Sequence, residues 1–399
     1  MRARTPKKSI LLFIEDVSFT LDNRMQRISG TLVRDGWDVT VISPRFRGDP
    51  GCRVLGEHLR AYFYPKPNAR GALGHLVEHA ISIGLGFLYS LWSFLRHGFS
   101  LFYACNPMDI FWLVALPYKA LGCRFIFDQH DLCPELLLSR ERGVEKMFFY
   151  RALLFLERMS YRMAVVVIST NESYKRVAIE RGGKRPEDVY VVRNGPDLKK
   201  FKIVEPEAGV KKDGEVLVGY LGTMNIQDGV DYLLRAAQII KAKDEKCIRF
   251  LLVGGGANQA YLMRLSDEMG LGGMVRFTGR LPDDEMLAAL SAMDICVQPD
   301  PMNPLNDKST MNKVMEYMAL GKPVLAFDLT ETRVSCGEAA VYAKPNEVED
   351  LADQIIQLAR DPLKRERMGR LGRKRVEQQL AWEYSEPKLL EACARALEP

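Results

Sequence analysis

Eight cysteines are scattered along this 399-residue chain, at positions 52, 105, 123, 133, 247, 296, 336 and 393, and no two form a CxxC pair. That spacing argues against a disulfide frame or a cysteine zinc site and fits reduced intracellular thiols. The five histidines contain no HExxH pattern, which removes the commonest zinc hydrolase signature. Long apolar runs are also lacking. Ala80 to Leu95 gives sixteen uncharged residues, short of the roughly 20 that span a bilayer, with Glu78 and His79 blocking extension. Ile10–Ile14 is too short for a signal-peptide core and is followed by Glu15-Asp16, so it reads as a first strand. Gly254-Gly255-Gly256 lacks the third glycine of a dinucleotide fingerprint, because Gln259 stands there; this lowers the NAD reading. Repeats and low-complexity tracts are absent.

The composition, 47% apolar and 27% charged, is that of a globular chain long enough for two cores. The net charge of +5 is unevenly spread: residues 1–200 carry 30 Lys and Arg against 20 Asp and Glu, the remainder 26 against 31. A basic first half suits an anionic partner, either a phosphorylated acceptor or an anionic membrane surface. Ala80–Leu95 then has two readings, a buried helix or an interfacial one that places Phe87, Trp92 and Phe94 in lipid.

Strands and helices alternate. Strands are expected at Ile10–Ile14, Asp38–Ile42, Phe99–Ala104, Arg124–Phe127, Val165–Ile168 and Val189–Val192, with helices around Gln26–Asp35, Leu76–Arg96, Pro107–Leu121 and Glu145–Met163. This is the pattern of a doubly wound parallel sheet. Residues 199–214 have linker composition, and a second alternating unit begins at Val216. The expected divisions are 1–200, 201–378 and a terminal helix in 379–399.

Asn306 to Phe327 is the most informative stretch. It reads as a polar loop capped by Asp307 or Ser309, a helix of about three turns, a terminal Gly321, and a buried strand Val324–Phe327 after Pro323. Free N–H groups near Ser309 to Met311 and the helix dipole favour a phosphate or diphosphate. Glu316 lies deeper on the helix, where a carboxylate suits paired hydroxyls, and Lys313 shares its face. An amphipathic helix with a salt-bridged glutamate is the plainer alternative.

Glu316-Tyr317-Met318-Ala319-Leu320-Gly321-Lys322-Pro323-Val324 resembles the donor-site signature of glycosyltransferase family 4, retaining enzymes of the GT-B fold. The resemblance extends over nearly the whole chain. It implies two facing Rossmann-like domains, the first for the acceptor and the second for a nucleotide-diphosphate sugar, with a C-terminal helix crossing back to the first. It also implies retaining transfer without metal or other cofactor, with Glu316 on the donor ribose.

The same resemblance places Gly222, Thr223, Asn225, Gly254, Gly255 and Gly256 around the donor, with Ser309 at its diphosphate. Members commonly carry Arg after the first glycine and Lys five residues on; here Thr223 and Asp228 stand there. Lys308 stands where the family has the first acid of a paired-glutamate motif. Lys313, Lys308 and Arg280 are therefore the candidate cations for the diphosphate, with Lys313 also placed among the catalytic residues. In the first domain, the loop after a buried strand offers His130, with Asp131, near the transferred sugar. Arg24, Arg27 and Asn171 are candidate acceptor contacts. The expected acceptor is a glycan or polyprenyl-linked glycan in surface-polysaccharide or glycoconjugate assembly. The expected location is cytoplasmic, with peripheral contact at the inner face of an anionic membrane and no nucleic-acid partner. Alternatives are a sugar-nucleotide epimerase of the same fold and a non-catalytic nucleotide-sugar-binding partner.

Overall fold

The computed structural model describes residues 8–46, 48–67, 72–107, 109–140, 146–206 and 209–398. The basic positions before Lys8, Met108 and Glu145 of two expected helices, and Glu207-Ala208 of the expected linker lie outside the described residues. The chain forms two compact units, Met1–Asn194 with Ser385–Pro399, and Gly195–Tyr384.

The first unit is built on strands β1 (Ser9–Phe13), β2 (Asp38–Arg45), β3 (Cys52–Val54), β4 (Leu59–Pro65), β5 (Leu101–Cys105), β6 (Arg124–Gln129), β7 (Val166–Ser169) and β8 (Val189–Val191). Their order is β3-β4-β2-β1-β5-β6-β7-β8, parallel except for β3 against β4. All residues of β1 and β5 are buried, as expected of central strands covered on both faces. The β3–β4 pair has no counterpart in the sequence reading. Its short edge strand is exposed throughout, so no apolar pattern marks it.

Connections that move rightward and leftward across a parallel sheet fall on opposite faces, because crossovers are right-handed. Helices Ala72–His97, Trp112–Ala120 and Lys146–Met163 link β4 to β5, β5 to β6 and β6 to β7, and so share one face. Asn23–Arg34 links β1 to β2 on the other face, capped by Asp22, whose Oδ1 accepts from the Arg24 and Met25 N–H groups at 2.9 and 3.0 Å. The terminal helix Trp382–Leu397 joins the first unit from Ser385 onward. Thr31 donates to Glu386 Oε1 at 2.9 Å, and Arg395 pairs with Asp188 at 3.2 Å.

The second unit has strands β9 (Val216–Leu221), β10 (Ile248–Val253), β11 (Val275–Gly279), β12 (Ile295–Gln298), β13 (Val324–Phe327) and β14 (Ala340–Ala343). They are ordered β11-β10-β9-β12-β13-β14, and every pairing is parallel. Strand order reverses between β9 and β12 here and between β1 and β5 in the first unit. Ligand crevices of open α/β sheets form outside the carboxyl ends of strands at such reversals.

Candidate functional site

Loop 222–225 after β9 and Asp300 after β12 flank the reversal in the second unit. Asp228 turns back on its own loop: its Oδ2 accepts from the Asn225 N–H at 2.9 Å and from Thr223 Oγ1 at 3.4 Å. The two departures from the family pattern are thus partners of each other. Lys313 reaches the same place from helix Asn312–Ala319, donating to Asp300 Oδ2 at 3.0 Å and to the Tyr220 hydroxyl at 3.3 Å, with Asp228 Oδ1 at 3.8 Å. Burial alone would lower the Lys313 pKa, but Asp300, Tyr220 and Asp228 outweigh it and raise it. Burial, opposed by Lys313 and reinforced by Asp300, raises that of Asp228. One ammonium set between two carboxylates leaves the cluster with an excess of negative charge when all are ionised. Lys313 is therefore not an uncommitted counter-ion for a diphosphate.

The helix behind this cluster is shorter than expected. It spans Asn312–Ala319, follows a 3₁₀ turn at Asn306–Lys308, and has no side-chain cap. Ser309 does not cap it: its hydroxyl donates to Leu305 O at 2.8 Å and its N–H to Asn306 O at 3.2 Å. Asp307 does not either, since its Oδ1 accepts from the Thr330 N–H at 2.8 Å. The first-turn N–H groups available to an anion thus belong to Asn312 and Lys313, directly after the expected Ser309 to Met311. Glu316 lies half-buried one turn on, and Lys308 is half-buried in the preceding turn.

The glycines serve a close approach of two loops. A Cβ on Gly254, at φ +126°, would stand 1.9 Å from Gly222 O, and one on Gly256 would stand 2.7 Å from the Met224 backbone. Gly255 is less confined, with Gln259 Oε1 at 3.1 Å from its would-be Cβ. Arg280, directly after β11, is exposed.

In the first unit, Asp128 near the end of β6 is the centre. It accepts from Arg24 Nε and Nη2 at 3.0 and 2.9 Å, from the Tyr103 hydroxyl, and from His130 Nε2 at 2.9 Å. Burial would raise its pKa, but Arg24 and His130 hold it well below the usual carboxylate range. Because Asp128 is an ionised acceptor, Nε2 of His130 carries the proton of this bond and Nδ1 is the nitrogen left for other contacts. The His130 and Asp131 N–H groups both donate to Asn106 Oδ1, at 2.6 and 3.0 Å, which fixes the loop.

Two expected acceptor contacts have other tasks. Arg24 is 4% exposed, and beyond Asp128 its Nη1 donates to Val192 O at 2.9 Å and Asn194 Oδ1 at 2.6 Å. It is a buried tie, not a surface grip. Asn171 is fully buried and caps helix Glu172–Glu180 through the Tyr174 N–H at 2.7 Å. Arg27, one turn after Arg24, is half-buried. Glu135 pairs with Arg181 at 2.6 Å. Asp128, Asp300 and Tyr220 escaped the sequence reading as site residues, although a carboxylate ending or following a buried strand is a usable signal.

Family comparisons cover most of both units. Residues 22–200 match the model described as Glycosyltransferase Family 4, and residues 215–361 match Glycosyl transferases group 1. The chain belongs to the group 1, family 4 glycosyltransferases. This family 4 chain is 26% identical over 247 residues to the D-inositol 3-phosphate glycosyltransferase of Nocardia farcinica, covering 58% of this chain and 52% of that protein. It is 28% identical over 209 residues to the GDP-mannose-dependent monoacylated alpha-(1-6)-phosphatidylinositol monomannoside mannosyltransferase of Corynebacterium glutamicum, covering 49% of this chain and 53% of that one. The chain thus spans about half the length of these curated relatives. Sucrose-phosphate synthase from Thermosynechococcus elongatus superposes with a TM-score of 0.76 at 19% identity, over 95% of this chain and 96% of that one. The fold of this family 4 chain is GT-B.

Proposed function

We propose that the chain is a retaining, metal-independent glycosyltransferase that moves a sugar from a nucleotide-diphosphate sugar, bound on the second unit, to a hydroxyl of a lipid-linked glycan bound on the first. The observation that carries the reading is the β9–β12 reversal, where the Gly222 loop approaches Lys313 in the first turn of helix Asn312–Ala319, with Glu316 further along the same helix. Backbone N–H groups at a helix start suit a diphosphate, and Glu316 suits a ribose. The chemical work is orientation and stabilisation of charge on the departing diphosphate. The acceptor oxygen bonds to the anomeric carbon on the face from which the diphosphate leaves, and a phosphate oxygen takes the hydroxyl proton. Lys313 holds Asp300 and Asp228 in place while the helix N–H groups, Lys308 and Arg280 meet the phosphate charge. His130 contributes a ring nitrogen, Nδ1, to the acceptor side. The name of the Corynebacterium glutamicum relative, GDP-mannose-dependent and specific for a phosphatidylinositol mannoside, supports a nucleotide-sugar donor and a lipid-linked acceptor, whereas that of the Nocardia farcinica relative supports a phosphorylated one.

The surplus of negative charge around Lys313 favours one second reading, a nucleotide-sugar-binding partner without transfer. Thermal shift across a panel of nucleotide sugars, with Glu316→Ala alongside, tests the donor site. A ligand at a hundred times Kd adds about 2.7 kcal/mol of apparent stability. Stabilisation by one nucleotide sugar, lost in Glu316→Ala, supports the donor site, and transfer to a lipid-linked acceptor then separates enzyme from binder. No stabilisation by any of them sinks both readings.

A further inference from the structure

Helix Ala72–His97 is apolar on both faces: Phe87, Leu91 and Phe94 pack on the core of the first unit, the Phe94 ring 4.9 Å from that of Phe99, so Phe87 and Phe94 do not face lipid as the interfacial reading expected. Ser82, Ser90 and Ser93 are buried, at 0%, 0% and 1% exposure, while Leu88, Trp92 and Leu95 face outward at 57%, 46% and 78%. Ordinary amphipathic helices turn the apolar stripe inward. Gly86, on the inner side, allows the helix to lie close over the sheet: a Cβ there would stand 2.6 Å from the Phe13 ring. Val77, Ile81, Leu88, Trp92 and Leu95 are separated by four, seven, four and three residues, whole turns of the helix, so they form one outward ridge.

The ridge continues onto its neighbours. Ser90 meets the Tyr118 hydroxyl at 2.6 Å, and Lys119 donates to Met163 O, which sets the three helices of this face side by side. Helix Trp112–Ala120 exposes Leu113 and Leu116, and helix Lys146–Met163 exposes Phe148 and Phe155 at 75% and 59%. Cations accompany these side chains. Arg96 lies 5.7 Å from the Trp92 ring centroid, and Arg151, Arg158 and Arg162 are exposed beside the phenylalanines. Glu157 is turned inward to Arg181 at 2.6 Å. Among the described residues of the three helices, Glu78 is the one carboxylate that is not buried. Aromatic and aliphatic side chains with arginines and almost no acid form the composition of an interfacial membrane surface. No described helix is long and apolar enough to cross a membrane.

We propose that the outer face of helices Ala72–His97, Trp112–Ala120 and Lys146–Met163 docks the chain on an anionic lipid bilayer, the apolar ridge entering the headgroup boundary and the arginines meeting lipid phosphates. This deepens the lipid-linked-acceptor reading and rests on it, because the docked unit is the one assigned to the acceptor. Protein–protein burial of the same face would lack a use for an almost purely cationic border.

Sedimentation with vesicles of phosphatidylcholine containing phosphatidylglycerol tests the proposal, with protein melting followed in parallel. The wild type is expected to bind anionic vesicles, weaken as salt rises, and bind pure phosphatidylcholine at least tenfold less. Leu88→Glu/Trp92→Glu/Leu95→Glu and Phe148→Ser/Phe155→Ser should each lower binding at least tenfold. Leu363→Glu, an equally exposed apolar position in the second unit at 77%, should leave it unchanged. Trp92 also packs edge-on on Tyr62, with ring centroids 5.0 Å apart, so the melting curves decide whether lost binding reflects unfolding, and the Phe148→Ser/Phe155→Ser variant, at positions exposed by 75% and 59%, is expected to melt as the wild type does. Failure of the wild type to bind anionic vesicles overturns docking, as does a concentration-dependent dimer abolished by the same substitutions. Donor-induced stabilisation is read without vesicles: its loss with binding intact defeats the transferase reading alone, and its presence without vesicle binding defeats docking alone.

Discussion

The two units repeat one device at their strand reversals and use it differently. In the first, a helix cation (Arg24), a strand-end carboxylate (Asp128) and a strand tyrosine (Tyr103) close on one another, with side-chain exposures of 4% for Arg24 and 0% for Asp128. In the second, Lys313, Asp300 and Tyr220 take the same parts, but Lys313 remains 10% exposed and a second carboxylate, Asp228, joins. The first cluster pairs charge one to one and seals it, with His130 at its edge as the group left toward solvent. The second keeps excess negative charge beside an open loop. A sealed pair fixes a loop; a partly open, unbalanced one leaves charge that a bound ligand or proton can alter.

The largest test of that contrast is Arg24→Ala. It strands the buried Asp128 carboxylate and should cost about 3–5 kcal/mol in urea-monitored stability, the usual result of removing one partner of a buried pair. Lys313→Ala strands a more exposed group and should cost less while also reducing nucleotide-sugar stabilisation. Equal losses without a donor effect would erase the distinction. Gly254→Ala comes next: its Cβ meets Gly222 O in a left-handed backbone, so roughly 1–3 kcal/mol and the donor-induced shift should go together. Asn171→Ala should cost about 1 kcal/mol as a lost helix cap and leave the acceptor KM unchanged.

The smallest effect sought is a pH slope. Burial, with Glu157 adding to it, raises the Asp109 carboxyl to about 7. Between the unfolded carboxyl value of about 4 and that raised value, the folded state retains a proton that the unfolded chain has released. Stability should therefore fall as pH rises through this window and level off above it. Asp109→Asn should flatten that slope in denaturation curves from pH 4 to 8; an unchanged slope would show that Asp109 is ionised in the fold.

Much of the architecture was legible because buried parallel strands are short apolar runs and helices carry an apolar period. Ile10–Ile14, Val216–Leu221 and Val324–Phe327 announced themselves in this way. The exposed strand Cys52–Val54 did not, since an edge strand has no face that must be apolar. The site was less legible. The 306–327 phrase marks a helix start suited to an anion, but Ser309 donates to Leu305 O and the helix begins at Asn312. Arg24 and Asn171 lie in segments that resemble the family's acceptor loop and cleft lining, and a resemblance in sequence does not say whether water or a buried partner satisfies a polar group.

By itself the sequence determined the α/β class, the family, and the elements that carry Glu316, Lys313 and His130, because local pattern and motif depend on near neighbours. Tertiary structure decided which charges are already spent. Asp128 lies 104 residues from Arg24, and Asp228 and Lys313 come together from different elements of the second unit. It also decided which apolar residues of helix Ala72–His97 meet the core, Phe87 and Phe94 among them, and which face outward, Leu88, Trp92 and Leu95, since a period of 3.6 gives a stripe its width but not its direction.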